Sequence, residues 1–90
     1  MKRFVEGEAI FRKVLELNRK TLAPDHPEIG SSLHNLANSI AKQGRTDEAI
    51  ELFREAVEHS TKTLGADHPD TLQTRAELEK LTDQRSVESR

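Results

Sequence analysis

Cysteine, tryptophan and tyrosine are absent from these 90 residues, and the aromatic content is three phenylalanines, Phe4, Phe11 and Phe53. Without cysteine there is no disulfide, no thiolate metal ligand and no cysteine nucleophile. Three aromatic rings support neither a large aromatic-packed core nor a base-stacking platform for nucleic acid. The net charge is −2 and the isoelectric point about 6.1, so no basic footprint exists for a polyanion. No apolar run approaches the roughly 18–20 residues that span a bilayer, and Glu6 and Glu8 interrupt the N-terminus before a signal-peptide core forms. Together these absences predict a cytoplasmic protein with no nucleic-acid or membrane partner.

What is present is a repeat. Leu22-Ala23-Pro24-Asp25-His26-Pro27-Glu28 returns 42 residues later as Leu64-Gly65-Ala66-Asp67-His68-Pro69-Asp70. At the same offset Phe11-Arg12 matches Phe53-Arg54, Lys20-Thr21 matches Lys62-Thr63, and Leu36 matches Leu78. Each period holds two helix-length segments between strong breakers. Apolar residues recur at helical spacing in the first segment, about Lys2 to Leu22 (Phe4, Ile10, Phe11, Val14, Leu17). They do so again from Pro27 (Ile29, Leu33, Leu36, Ala37, Ile40), with Gly44 as a left-handed stop. Thr46 opens the third segment as a hydroxyl cap, followed by Asp47 and Glu48 at the positive end of the helix dipole. Its stripe is Ala49, Phe53, Ala56, Val57, Ser60 and Leu64, and Gly65 ends it. Pro69 starts a fourth segment running to about Gln84, packed through Leu72, Ala76, Leu78 and Leu81. No alternating β-branched run is present.

The expected fold is all-α: an α-solenoid of antiparallel helix-turn-helix repeats with about four helices, one complete repeat flanked by two half repeats. The array covers residues 1–85, and residues 86–90 form a frayed tail. Leu33-x-x-Leu36-Ala37-x-x-Ile40, then Gly44, then Ala49-x-x-x-Phe53-x-x-Ala56, resembles the tetratricopeptide repeat pattern. The 42-residue period with Asp-His-Pro ahead of each pair is similar to the kinesin light chain type of repeat.

That resemblance implies a protein-interaction module whose first helix in each pair lines a concave groove for an extended peptide. The groove positions it implies are Ser31, His34, Asn35, Asn38, Ala41 and Lys42, continued by Gln73, Ala76, Glu77 and Lys80. Carboxamides such as Asn35 and Asn38 donate to and accept from a peptide backbone at once. Lys42 and a protonatable His34 favour a carboxylate there. The alternative reading is structural: Phe4, Ile10, Phe11 and Leu15 on the unpaired first helix form a self-association surface, giving a homodimer or completing a longer array. Arg75, Glu79 and Thr82 stand where the second helix has Leu33, Ala37 and Ile40, which predicts a capping fourth helix.

Asp25-His26 and Asp67-His68 are read as helix-start capping pairs rather than metal or proton-transfer sites, since stacked helices hold the two pairs too far apart to share an ion. No nucleophile–base pair, phosphate-cradling glycine loop or cofactor motif appears, so neither enzyme activity nor a cofactor is expected.

Overall fold

Two proline turns and two glycines with positive φ cut the chain into four helices. The computed structural model describes residues 2–88. It contains α1 (Lys2–Thr21), α2 (Pro27–Lys42), α3 (Thr46–Thr63) and α4 (Pro69–Glu88), with no strand among the described residues. Gly44 (φ 82°) ends α2 and Gly65 (φ 102°) ends α3. Beyond α2, Arg45 N–H donates to Ile40 O and Gly44 N–H to Ala41 O, the paired bonds that close a helix through a left-handed residue.

The two histidines ahead of the prolines act alike. His26 Nδ1 accepts from Glu28 N–H and His68 Nδ1 accepts from Asp70 N–H, both at 3.1 Å. The imidazole, not the aspartate beside it, satisfies the free amide at each helix start. Thr46 does not cap α3. Arg45, directly after Gly44, is the cap position with no side-chain cap bond, and Thr46 is the first helical residue.

Consecutive helices run antiparallel. Near one end of the α1–α2 pair Asn18 donates to Ser32 Oγ at 2.7 Å, and near the other Ser39 Oγ donates to Phe4 O at 2.7 Å. The extents of 41 × 32 × 16 Å are those of two helix layers. In one layer α1 and α3 lie parallel, tied by Arg12–Glu48 at 2.8 Å and Arg19–Glu55 at 2.6 Å. In the other, α2 and α4 are joined by His34 and Thr74 at 3.0 Å. The exposed ion pairs fix register more than they stabilise.

The α2 stripe is buried in full: Ile29, Leu33, Leu36, Ala37 and Ile40, against Ala49, Ile50, Phe53 and Ala56 of α3. Close approach of α2 and α3 centres on Gly30, where a Cβ would lie 3.1 Å from the His59 ring and 3.2 Å from Ser60 Oγ. On α1, Leu15 is in this core and Phe11 packs against it. Leu15 is therefore covered within the chain and Phe11 partly covered, which narrows the expected self-association surface. Phe4 and Ile10 are exposed, together with Val14 and Leu17.

On α4 the buried face is Thr71 and Thr74 with half-buried Leu78 and Leu81, while Leu72 and Ala76 face outward. These four occupy the repeat positions of Ile29, Ser32, Leu36 and Ser39, so α4 sits on α3 by the face that α2 turns to α1. The Thr71 hydroxyl is buried without a partner where the earlier repeat has Ile29. Helix α4 continues past Gln84 to Glu88 because no breaker intervenes, so the expected 86–90 tail is helical as far as residue 88, and residues 89–90 lie outside the described residues.

Candidate functional site: the cleft between α2 and α4

Residues one helical turn apart on α2 share one face. Ser31, Asn35, Asn38 and Lys42 do so and are all exposed, offset from the buried stripe. Helix α4 brings Gln73 and Lys80 to its own exposed side. Between the two helices lies a cleft of about 290 Å³. Ser31, His34 and Asn35 line it from α2, Asp70, Gln73 and Thr74 from α4, and Gly30, Ser60 and Leu64 form part of its base. Asn38, Lys42 and Lys80 are not among the lining residues. They continue the same faces toward the helix C-termini, Lys42 lying about 10 Å along α2 from Asn35 at 1.5 Å per residue. Asp70 and Thr74 were not singled out by pattern; the Asp-His-Pro repeat marks the turn that delivers them.

His34 is the hinge of the site. Its ring meets Phe53 edge-on, with centroids 5.4 Å apart and planes at 78°. The Thr74 hydroxyl donates its single proton to Asp70 O at 2.9 Å. The same hydroxyl lies 3.0 Å from His34 Nδ1. Burial pushes the His34 pKa below the usual imidazole value, against the opposing fields of Glu77 and Asp70. Burial therefore disfavours the charged imidazole on which the expected carboxylate preference relies.

The principal electrostatic cluster is elsewhere, at the α2–α3 turn. Glu8 accepts from Gln43 Nε2 at 2.9 Å, from Arg45 Nη1 at 2.6 Å and from Arg12 Nε at 2.9 Å. The Gln43 bond first, and then the two guanidiniums, hold its carboxyl down to about 2. This cluster clamps α1 to the turn and leaves no free charge for a ligand. A larger cleft of about 480 Å³ lies between Pro24-Asp25 and α3. Its Glu58 is paired with Lys62 at 3.2 Å and its Glu55 with Arg19, so those charges are also spoken for. Among the described residues no group of three or more His, Cys, Asp or Glu gathers to hold a metal, and no helix is long and apolar enough to cross a membrane.

A family model described as tetratricopeptide repeat matches residues 28–84, and a second of the same description matches residues 1–28. The fold superposes with a TM-score of 0.84 on a crystal structure of nearly identical tetratricopeptide-like repeats from a kinesin light chain of Podosopora anserina. Identity is 29%, over 96% of this chain and 41% of that one. The chain thus spans less than half the length of the structure it resembles. No curated protein matches the sequence.

Proposed function

Because the chain belongs to the tetratricopeptide repeat family, whose repeats are generally non-catalytic protein–protein interaction modules, we propose that it binds an extended peptide or partner segment along the α2–α4 face. The observation that carries this reading is the cleft, in which exposed carboxamides and hydroxyls of two rigid helices converge on one open volume. Ser31, Asn35 and Gln73 contact the segment at the cleft, and Asn38, Lys42 and Lys80 extend the contact along the helices. Asn35 and Asn38 grip its main chain, since each carboxamide pairs with both the N–H and C=O of an extended backbone. Two helices offer little area, so affinity is micromolar or weaker.

The test is to select binders from a displayed random-peptide library and measure their affinity for the double variant Asn35→Ala, Asn38→Ala. Losing two net hydrogen bonds is expected to weaken binding by about tenfold or more, with the helical spectrum unchanged. Unchanged affinity would remove these two residues from the site.

A second reading, self-association through α1, is favoured by one specific observation. Ile10 is 62% exposed, Leu17 53% and Val14 40%, all on one side of the helix. Their repeat equivalents Leu52, Ala56 and His59 are on the side of α3 that α2 covers, with Ala56 fully buried and His59 donating to His26 O at 2.7 Å. In this reading a second copy covers the stripe. Light scattering over a hundredfold concentration range should then show a dimer that Ile10→Glu with Leu17→Glu converts to a monomer. A wild-type monomer throughout excludes the homodimer.

A further inference from the structure

Helix α4 is held to the molecule less firmly than the helices it follows. The buried cluster of the fold is drawn from α1, α2 and α3, with Leu15, Leu33, Leu36 and Ala56 among its members, and α4 adds to it the half-buried Leu81. Where α2 has the buried Ile29, α4 has Thr71, fully buried with its hydroxyl unpaired. Leu78 is half-buried where its equivalent Leu36 is fully buried. A buried hydroxyl without a partner counts against the docked state, because water satisfies it once the helix leaves α3.

The polar ties differ in the same direction. Asn18 donates to Ser32 Oγ and Ser39 Oγ to Phe4 O, which bonds α2 to α1. At the equivalent positions of α4, the Thr74 hydroxyl donates to Asp70 O of its own helix, and Leu81 has no hydroxyl to give. Arg85 reaches Asp47 of α3 at 3.3 Å, but both are exposed, and such a pair contributes little. The other end helix, α1, is clamped instead, with Glu8 held by Gln43 and Arg45 of the α2–α3 turn.

We propose that α4 is a movable wall of the cleft. It leaves α3 as a unit, turning about Gly65 to His68, while α1, α2 and α3 stay folded, and the Thr71 hydroxyl sets how readily it opens. On the binding reading above, a segment held across α2 and α4 meets both of its walls only in the docked state, so occupancy of the cleft and docking of α4 are coupled. Away from α3, a helix of 20 residues with threonine at 71, 74 and 82 is marginal in water, so its amides lose protection together.

Amide hydrogen exchange of the free full chain, followed by NMR, tests this without a ligand. Relative to their intrinsic rates, the amides of Leu78 to Leu81 are expected to exchange at least about tenfold faster than those of Leu33 to Ala37 in α2 and Phe53 to Ala56 in α3. Thr71→Val keeps the side-chain shape and removes the hydroxyl, and should raise the protection of the α4 amides by about fivefold or more. Equal protection of α4 and the α2–α3 core in the wild type would overturn the movable wall. Protection of α4 that is unchanged or lower in Thr71→Val would overturn the role of Thr71. Neither result bears on the binding face itself, which the Asn35 and Asn38 variants decide separately.

Discussion

Replacing Phe53 by alanine is expected to remove most of the stability of this chain. Phe53 is 1% exposed and is the largest fully buried side chain in the structure. Truncating such a ring costs about 3–5 kcal/mol through lost burial and the cavity left behind. A chain of 90 residues has about 5–13 kcal/mol in total. The thermal midpoint should therefore fall by roughly 15 °C or more, read by circular dichroism, whereas Phe53→Leu should cost much less. A fall of under roughly 5 °C would mean that the α2–α3 core does not carry the fold. The proposed binding site is tied to the same ring, because Phe53 packs against His34 at the cleft.

The second large effect comes from one repeat position with two opposite roles. Ala37 is fully buried, seven residues from Gly30 and so on the same side of α2, the side that meets α3. Its equivalent in the next repeat is Glu79, which is exposed. Ala37→Glu forces a carboxylate into a close helix contact with no cationic partner, at a cost of about 3–5 kcal/mol, and should leave the chain largely unfolded. Glu79→Ala should change stability by no more than about 0.5 kcal/mol. Urea midpoints of the two variants separate these outcomes; a native-like midpoint for Ala37→Glu would refute the packing of α2 on α3. The contrast also explains α4. With Leu72, Arg75, Glu79 and Thr82 where α2 has Gly30, Leu33, Ala37 and Ile40, this face of α4 suits solvent and does not suit packing against a helix as α2 packs against α3.

Several features were legible in the sequence because they depend on neighbours a few residues away. The stripe of α2 reads directly as its buried face, and Gly44 and Gly65 read as left-handed stops. The histidines of the two Asp-His-Pro motifs cap their helices as nearest-neighbour chemistry dictates. The exposed faces of Ser31, Asn35, Asn38 and Lys42 follow from helical spacing alone. Where reading fell short, the missing information was always which side of a helix a neighbour covers. Helix α1 carries apolar residues over a wide arc, and periodicity cannot say that Leu15 is in the core while Ile10 and Leu17 are not. On α4 the leucines at positions 72 and 78 look equivalent, yet threonines at 71 and 74 are the buried partners of Leu78 and Leu81.

The sequence by itself determined the 42-residue period, the four helices, their stops and the family, because each is written in local spacing and short-range hydrogen bonding. Only the tertiary structure decided the rest. Burial disfavours the charged form of His34, and Thr74, 40 residues away, holds its Nδ1 at 3.0 Å. Glu8 has its carboxyl held down to about 2 by Gln43 and Arg45 of the α2–α3 turn and by Arg12 of its own helix. The chemistry of the cleft is set by contacts between helices, and such contacts depend on the packing angle and depth of whole elements, which no stretch of neighbouring residues encodes.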